Sequence, residues 1–378
     1  VDQAGDRPAE EEVGGGAMSS PGRLLEILRN KGVLTPEWTP AVAAVDRAHF
    51  VPDTFEVGDR TVSRAADEAE WRRMVYADLP LITQHNDGRA VAGQIAVPTC
   101  STSMPSLMLA MAASVRDGDA VLEIGTGTGY HAAWLAHRLG EDRTTSIETD
   151  KALHDIARDN LARAGLHPHL VCGDGLAGVP GRAPFDRTLA TCTVRDIPYA
   201  WVAQTAPGGT ILTPWGSSFH SYSFATLTVR DGRATGRFSG RPAFMWARQQ
   251  RRSYGRIRDW YHGEEGERAT TALDPRVLEE DPDARFAVGL KVRDAWPLLC
   301  PADDGSDEAT YWLFDDARSS WATVEYVPGR DTYETEQHGP RRLWDEVEAA
   351  YRAWTAEGAP TRDRYRITVT PEGQTVSL

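Results

Sequence analysis

The stretch Ala120-Val-Leu-Glu-Ile-Gly-Thr-Gly-Thr-Gly-Tyr130 decides the fold of this chain. Val121, Leu122 and Ile124 read as a buried strand, three glycines at alternate positions turn the backbone, and the run from Tyr130 starts a helix. Glycines let the backbone approach a ligand closely and accept positive dihedrals. The helix that follows aims its first amides at the same place. Glu148 closes the segment 144–148, 23 residues after Gly125, where a carboxylate accepts ribose hydroxyls. A third turn, Cys172-Gly-Asp-Gly175, puts Asp174 where it can hold an adenine amino group and Gly175 where close packing is needed.

Working outward, strands are predicted at 119–124, 143–148, 168–172, 186–191 and 209–213, with helices at 106–112, 129–139 and 151–164. Apolar strands alternating with helices imply an α/β fold: a doubly wound, Rossmann-like parallel sheet. The segments 221–230 and 234–245 read as a hairpin around Asp231-Gly232. The spacing G-x-G-x-G departs from the dinucleotide fingerprint G-x-G-x-x-G, which favours S-adenosylmethionine (SAM) over nicotinamide or flavin. A purely structural turn in an unrelated doubly wound fold is the alternative.

Residues 1–20, with Glu10-Glu-Glu-Val-Gly-Gly-Gly16 and Met18, read as a loose tail. Residues 21–105 begin with helical patterning, with Pro40 at a helix start, and continue as an irregular stretch (51–105) that covers a site. Residues 106–248 form the SAM-binding core, and 249–378 an appended smaller α+β domain for peptide recognition or an accessory role. In the last, 311–314 and 321–326 alternate as strands, 340–355 is a helix with Leu343, Trp344, Val347, Ala350, Tyr351 and Trp354 on one side, and 365–369 is a final strand.

The 378 residues exceed what one modest core usually organises. A net charge of -14 argues against nucleic-acid partners, though a basic peptide would be welcome. No apolar run is long enough to cross a membrane, and the N-terminus lacks a basic-then-apolar signal. Cys100, Cys172, Cys192 and Cys300 fall in no metal-binding or disulfide spacing, so no metal is expected and a cytoplasmic location is.

Val121–Tyr130 together with Gly173-Asp-Gly175, Ala183-Pro-Phe-Asp186 and Gly208-Gly-Thr-Ile-Leu-Thr-Pro214 resembles, in order, the blocks of the protein-L-isoaspartate O-methyltransferase family. Upstream, Arg47-Ala-His-Phe-Val-Pro52, Tyr76-Ala-Asp-Leu-Pro-Leu81 and Thr102-Ser-Met-Pro105 resemble its N-terminal signatures, so the likeness covers roughly 21–248. The resemblance implies a SAM-dependent carboxyl methyltransferase with S-adenosylhomocysteine as product. It implies that Glu123, Gly125, Thr126, Gly127 and Gly129 surround the methionine part of SAM, that Glu148 takes the ribose, and that Asp174 and Gly175 border the adenine. It implies catalytic Ser103 and Thr102 beside the substrate carboxylate, with Met104 and His85 among the substrate contacts.

Three features depart from the family pattern: a long segment 81–97, the loop Thr99-Cys-Ser-Thr-Ser-Met104 with Met104 in an unusual place, and about 130 residues after the core. They resemble the branch that methylates an ordinary Asp in a macrocyclic ribosomal peptide, whose ester collapses to an aspartimide. Isoaspartyl repair of damaged proteins is the alternative, and a non-catalytic SAM- or peptide-binding homologue a further one. Among other residues, His131 and the pair His85 and Asp87 are weighed between site contact and packing or solvent. Cys172 and Cys192 are read as buried thiols, and Trp134, Trp344 and Trp354 as core. Arg251, Arg252, Arg341 and Arg342 are read as peptide contacts or solvated charge.

Overall fold

The computed structural model describes residues 20–89, 96–220, 222–251 and 255–378. The expected tail with Met18, part of the long 81–97 segment, and Arg252 lie outside these residues. The chain divides into two compact units, one ending at Gly175 and one beginning at Leu176.

The first unit opens with helices α1 (Pro21–Asn30) and α2 (Thr39–Ala44). Pro40 stands in the first turn of α2, where a missing N–H costs nothing. Strands β1 (Thr54–Val57) and β2 (Arg60–Ser63), helix α3 (Glu68–Val75), and strands β3 (Leu81–His85) and β4 (Pro98–Thr102) follow. The four strands form an antiparallel sheet in the order β2-β1-β3-β4. This corrects the expectation that 51–105 is irregular. The strands are four or five residues long, and β3–β4 shifts register twice, so no apolar alternation runs long enough to be read. Helix α4 (Pro105–Ala112) leads to β5 (Val121–Ile124), α5 (Tyr130–Leu139), β6 (Thr144–Glu148), α6 (Lys151–Arg163) and β7 (His169–Cys172). β5, β6 and β7 pair in parallel, each within two residues of its expected start. β5 and β6 are buried at every position, as parallel strands covered on both faces must be. β7 is exposed at both its ends, and Cys172 is therefore exposed, not a buried thiol.

In the second unit, β8 (Phe185–Ala190), α7 (Tyr199–Gln204), β9 (Thr205–Trp215), β10 (Ser223–Arg230) and β11 (Arg233–Ser239) come first. β8 and β9 are parallel, and β9, β10 and β11 antiparallel, with Asp231 and Gly232 at positive φ in the hairpin turn. β11 stops at Ser239, short of the expected 245; Gly240 turns the chain and Pro242 lacks a ladder donor. The C-terminal residues build a second antiparallel sheet from β12 (Glu267–Thr271), β13 (Ala295–Pro301), β14 (Ala309–Asp315), β15 (Trp321–Tyr326) and β16 (Tyr333–His338), in the order β12-β16-β15-β14-β13. Helices α8 (Val277–Glu280), α9 (Pro282–Lys291) and α10 (Leu343–Ala356) accompany it. α10 packs over β14, β15 and β16, burying Leu343, Trp344, Val347 and Trp354, each contributing about 1.5–3 kcal/mol. Trp134 is fully buried too, as expected.

The last two strands, β17 (Arg366–Thr370) and β18 (Gly373–Ser377), return to pair with β11 and with each other. The expected boundary at 248/249 is thus not a break: the chain end completes the sheet begun at β8. Arg362 fastens this return, donating to the Asp283 carboxylate at 2.6 Å and to the Gly240 carbonyl at 3.1 Å.

His220 lies in the same packing, its Nε2 2.9 Å from the Ser223 hydroxyl. Burial, reinforced by the Arg362 and Arg285 guanidiniums, holds its pKa down to about 3 from 6.5. Between those values the unfolded chain binds a proton that the folded chain does not, so stability falls as pH drops through this window. The expected slope is at most about 1.4 kcal/mol per pH unit. Thermal melts of wild type and His220→Gln from pH 7 to pH 4 check it: the variant should lose less stability on acidification, and parallel curves would refute the assignment.

Candidate active site

The glycine turn follows β5 at its carboxyl end. Gly125, Gly127 and Gly129 all have positive φ, and the Gly125 amide donates to the Ile147 carbonyl of β6 at 2.9 Å. Gly127 has φ 56°, and a Cβ there would lie 3.4 Å from Cys100 Sγ on β4, so the turn is seated against the sheet below it. Gly175 answers a different demand: a Cβ would come 2.7 Å from Ile124, which forbids any larger residue without a shift.

Glu148 ends β6, 7% exposed. One carboxylate oxygen accepts the Gly127 amide at 2.9 Å and the other the Asp150 amide at 2.9 Å. It therefore ties the glycine turn to the start of α6, whose Ala152 and Leu153 amides are capped by Asp150. Gln84 of β3 reaches the Asp150 carboxylate at 3.3 Å and accepts from the Thr99 hydroxyl at 2.8 Å. The β3–β4 hairpin thus ends on the acid side of this turn.

Beneath the turn, Glu123 is wholly buried. Its carboxylate meets His131 Nδ1 at 2.7 Å and accepts from the Ser146 hydroxyl at 2.6 Å, and Ser146 is 2.6 Å from the Thr126 hydroxyl. Both Glu123 oxygens are engaged inside the protein, so the residue fixes Thr126 and the turn. His131 is part of the same buried network, which decides between its two readings. Asp174 stands exposed just past β7, at the same carboxyl edge.

The residues of the expected substrate loop separate by strand alternation. Cys100 and Thr102 point to the buried side of β4, and Ser101 and Ser103 are half-buried. The Thr102 hydroxyl lies 3.2 Å from the Thr128 hydroxyl and 3.4 Å from the Phe50 carbonyl, which takes Thr102 out of the expected reactive pair. It links loop to glycine turn instead. The Ser103 hydroxyl makes no hydrogen bond among the described residues. Met104 caps the start of α4, half-buried. His85 Nε2 lies 3.2 Å from the Glu56 carboxylate of β1, so its ring is oriented by a partner on the small sheet.

The sequence reading missed Arg47. Its guanidinium is 1% exposed and donates to five carbonyls, those of Val75, Ala77, Leu79, Thr102 and Ser103, at 2.8–3.1 Å. Burial lowers its pKa to about 10, which still leaves it cationic at neutral pH. Asp78 works beside it, accepting the Ser106 amide in the first turn of α4 at 2.8 Å and the Lys31 ammonium at 2.7 Å. The only available signal was the position of Arg47 at the head of the quoted 47–52 block, and none marked it as a clamp. Arg341 and Arg342 are spent within the chain, on Glu346 and on Glu267 and Asp345.

The sequence model of the protein-L-isoaspartate(D-aspartate) O-methyltransferase family matches residues 19–238. The protein-L-isoaspartate O-methyltransferase of Hyperthermus butylicus is 31% identical over 226 residues, 57% of this chain and 83% of its own length. That of Bordetella avium is 34% identical over 219 residues, 56% of this chain and 71% of its own. A solved structure of a protein-L-isoaspartate O-methyltransferase shares the fold at a TM-score of 0.54 and 20% identity, over 95% of this chain and 99% of its own. That likeness in fold runs on through the C-terminal residues.

Proposed function

This chain belongs to the protein-L-isoaspartate O-methyltransferase family, and we propose that it methylates an aspartyl side chain in a ribosomally made, macrocyclic peptide. It is a SAM-dependent O-methyltransferase. The site fits that cofactor: Gly125, Gly127 and Gly129 turn the backbone at positive φ after β5, and Glu148 is fixed by two amides at the end of β6.

Bound SAM supplies a methyl group on a positively charged sulfur, open to in-line displacement by a carboxylate oxygen. The chain's residues align the acceptor and need no strong base, because an aspartyl carboxylate is already ionised at neutral pH. The observation that carries the reading is Ser103, whose loop is held by Arg47 through the Thr102 and Ser103 carbonyls. Its hydroxyl can donate to one oxygen of the acceptor and leave the other to attack. In the product ester the next backbone nitrogen can attack the side-chain carbonyl. The C–N bond forms, methoxide departs with the amide proton as methanol, and an aspartimide remains.

Support for a dedicated peptide client comes from the long β3–β4 segment and the residues after 238, where the family match ends. Isoaspartyl repair is the second reading, favoured by the names of the curated relatives and by a fold likeness that includes the C-terminal residues. Cys100, Cys172, Cys192 and Cys300 form no disulfide among the described residues, which suits a reducing cytoplasm, the location we propose.

Mass spectrometry after incubation with SAM decides between the two. A cyclised peptide with a normal Asp should gain one methyl group and then lose methanol, while a linear isoaspartyl peptide reacts poorly. Efficient methylation of the linear peptide alone would establish repair instead. Ser103→Ala should lower turnover about 10- to 100-fold with SAM affinity unchanged, the loss of a hydrogen bond to a charged acceptor. Full activity in the variant would remove Ser103 from the mechanism.

A further inference from the structure

The five-stranded C-terminal sheet, which lies beyond the family match, carries α10 on one face. There Gln337 donates to the Asp345 carboxylate at 2.8 Å, and the Tyr311 ring lies 6.1 Å from that of Trp344. Strand register puts three successive rows of side chains on the opposite face. The first row, Trp296, Phe314 and Trp321, is buried, with the rings of Trp260 and Tyr261 packed on it at 5.1–5.3 Å. The second runs from Leu298 through Trp312 and Thr323 to Glu336. Trp312 is half-buried, and Tyr261, itself 36% exposed, lies 5.5 Å from it. The third row is Thr310, Glu325 and Glu334, and both glutamates are exposed.

Glu325 and Glu334 stand directly opposite each other in the β15–β16 ladder. Like charges in that position repel, so the pair costs the sheet stability. Glu325 accepts the Thr310 hydroxyl at 2.8 Å, and neither glutamate has a cation within ion-pairing distance among the described residues. The one Lys or Arg on the five strands, Arg268, is taken by Glu336 at 3.4 Å. At the same end of the sheet the β13–β14 turn adds Asp303, Asp304, Asp307 and Glu308, all exposed and none ion-paired among the described residues. Arg330 and Asp331 in the β15–β16 turn offset each other in charge. After every cation there is counted, two glutamates on the face and four acids at its rim remain, next to a half-exposed indole and a tyrosine.

We propose that this face docks a basic segment of the peptide client, with an Arg or Lys side chain held between Glu325 and Glu334 and against Trp312 and Tyr261. The identity of the client rests on the peptide-substrate reading, to which the face adds an anchor separate from the methylated carboxylate. A guanidinium satisfies both demands at once. It gives carboxylates directional, charge-assisted hydrogen bonds, relieves the repulsion between the two glutamates, and stacks on an aromatic ring. The acids at the rim steer cationic segments to the face. An apolar partner would have to strip water from both glutamates without returning a hydrogen bond, and an anionic one would be repelled.

The probe is a short Gly/Ser peptide carrying two arginines and an uncharged dye, with Lys and Gln counterparts, read by fluorescence anisotropy with the full-length protein and no SAM. The Arg peptide should bind at least tenfold tighter than the Gln peptide, with an advantage that shrinks as salt rises. The double variant Glu325→Gln, Glu334→Gln should remove most of that advantage. It should melt at or above wild type, because it removes a like-charge pair, so lost binding reports the face and not unfolding. The control pair Glu357→Gln, Glu372→Gln changes the net charge equally at exposed glutamates off this sheet and should leave the advantage intact. Trp312→Leu should weaken the Arg peptide more than the Lys peptide. Equal binding of the Arg and Gln peptides overturns the proposal, as does a control pair that costs as much affinity as the face pair, which would mean general charge attraction alone. Because the readout needs no methyl transfer, a protein that binds the Arg peptide through these glutamates but methylates only a linear isoaspartyl peptide keeps the face and refutes the proposed function. The reverse result refutes the face alone.

Discussion

Glu148→Ala is expected to weaken SAM binding about 100-fold, roughly 3 kcal/mol. Two losses combine. The carboxylate proposed to meet the ribose is gone, and the amides of Gly127 and Asp150 lose the acceptor that holds each at 2.9 Å. A hydrogen bond to a charged group contributes about 1.5–3 kcal/mol, and part of the total is recovered because water reaches the opened site. Glu148→Gln keeps the shape but offers one acceptor oxygen where the carboxylate offered two, so it should fall between wild type and alanine. Calorimetric titration with SAM and with S-adenosylhomocysteine measures both. An alanine variant within threefold of wild type would show that Glu148 organises the turn without touching the ribose.

Arg47→Ala is expected to cost about 3–5 kcal/mol of folding stability and to abolish turnover. Five carbonyls that now share one guanidinium would be left without it in a site closed to water. Two of them belong to Thr102 and Ser103, so the loop proposed to hold the acceptor loses its position even in whatever fraction stays folded. Arg47→Lys should recover some stability and little activity, because a single ammonium cannot span carbonyls fanned out from Val75 to Ser103. Urea unfolding and SAM titration on the lysine variant separate the effects. If it binds SAM normally yet turns over slowly, Arg47 positions the acceptor; if turnover is also normal, the clamp has no part in catalysis.

The same contrast explains what was legible beforehand. β5, β6 and β7 were readable because a parallel strand buried on both faces leaves an apolar run, and because glycine turns and capping residues sit next to the elements they end. β1 to β4 were not, since each is short and stabilised by its neighbours across the sheet more than by its own pattern. Cys172 was misjudged for a related reason: being apolar at a strand end does not tell whether the strand lies at an edge. Thr102 and Ser103 looked equivalent in sequence, and only the pleat of β4 distinguished them.

By itself the sequence determined the α/β core, the glycine turn, the acid at the end of β6 and the family, because each is written in residues close together along the chain. The tertiary structure alone decided which buried charge holds the 102–103 loop, which of two adjacent hydroxyls is left uncommitted, and how Arg362 fastens the returning chain end. Those choices join residues from 26 to 122 positions apart. They depend on which polar groups must find partners once the chain closes, and a local pattern carries no record of that.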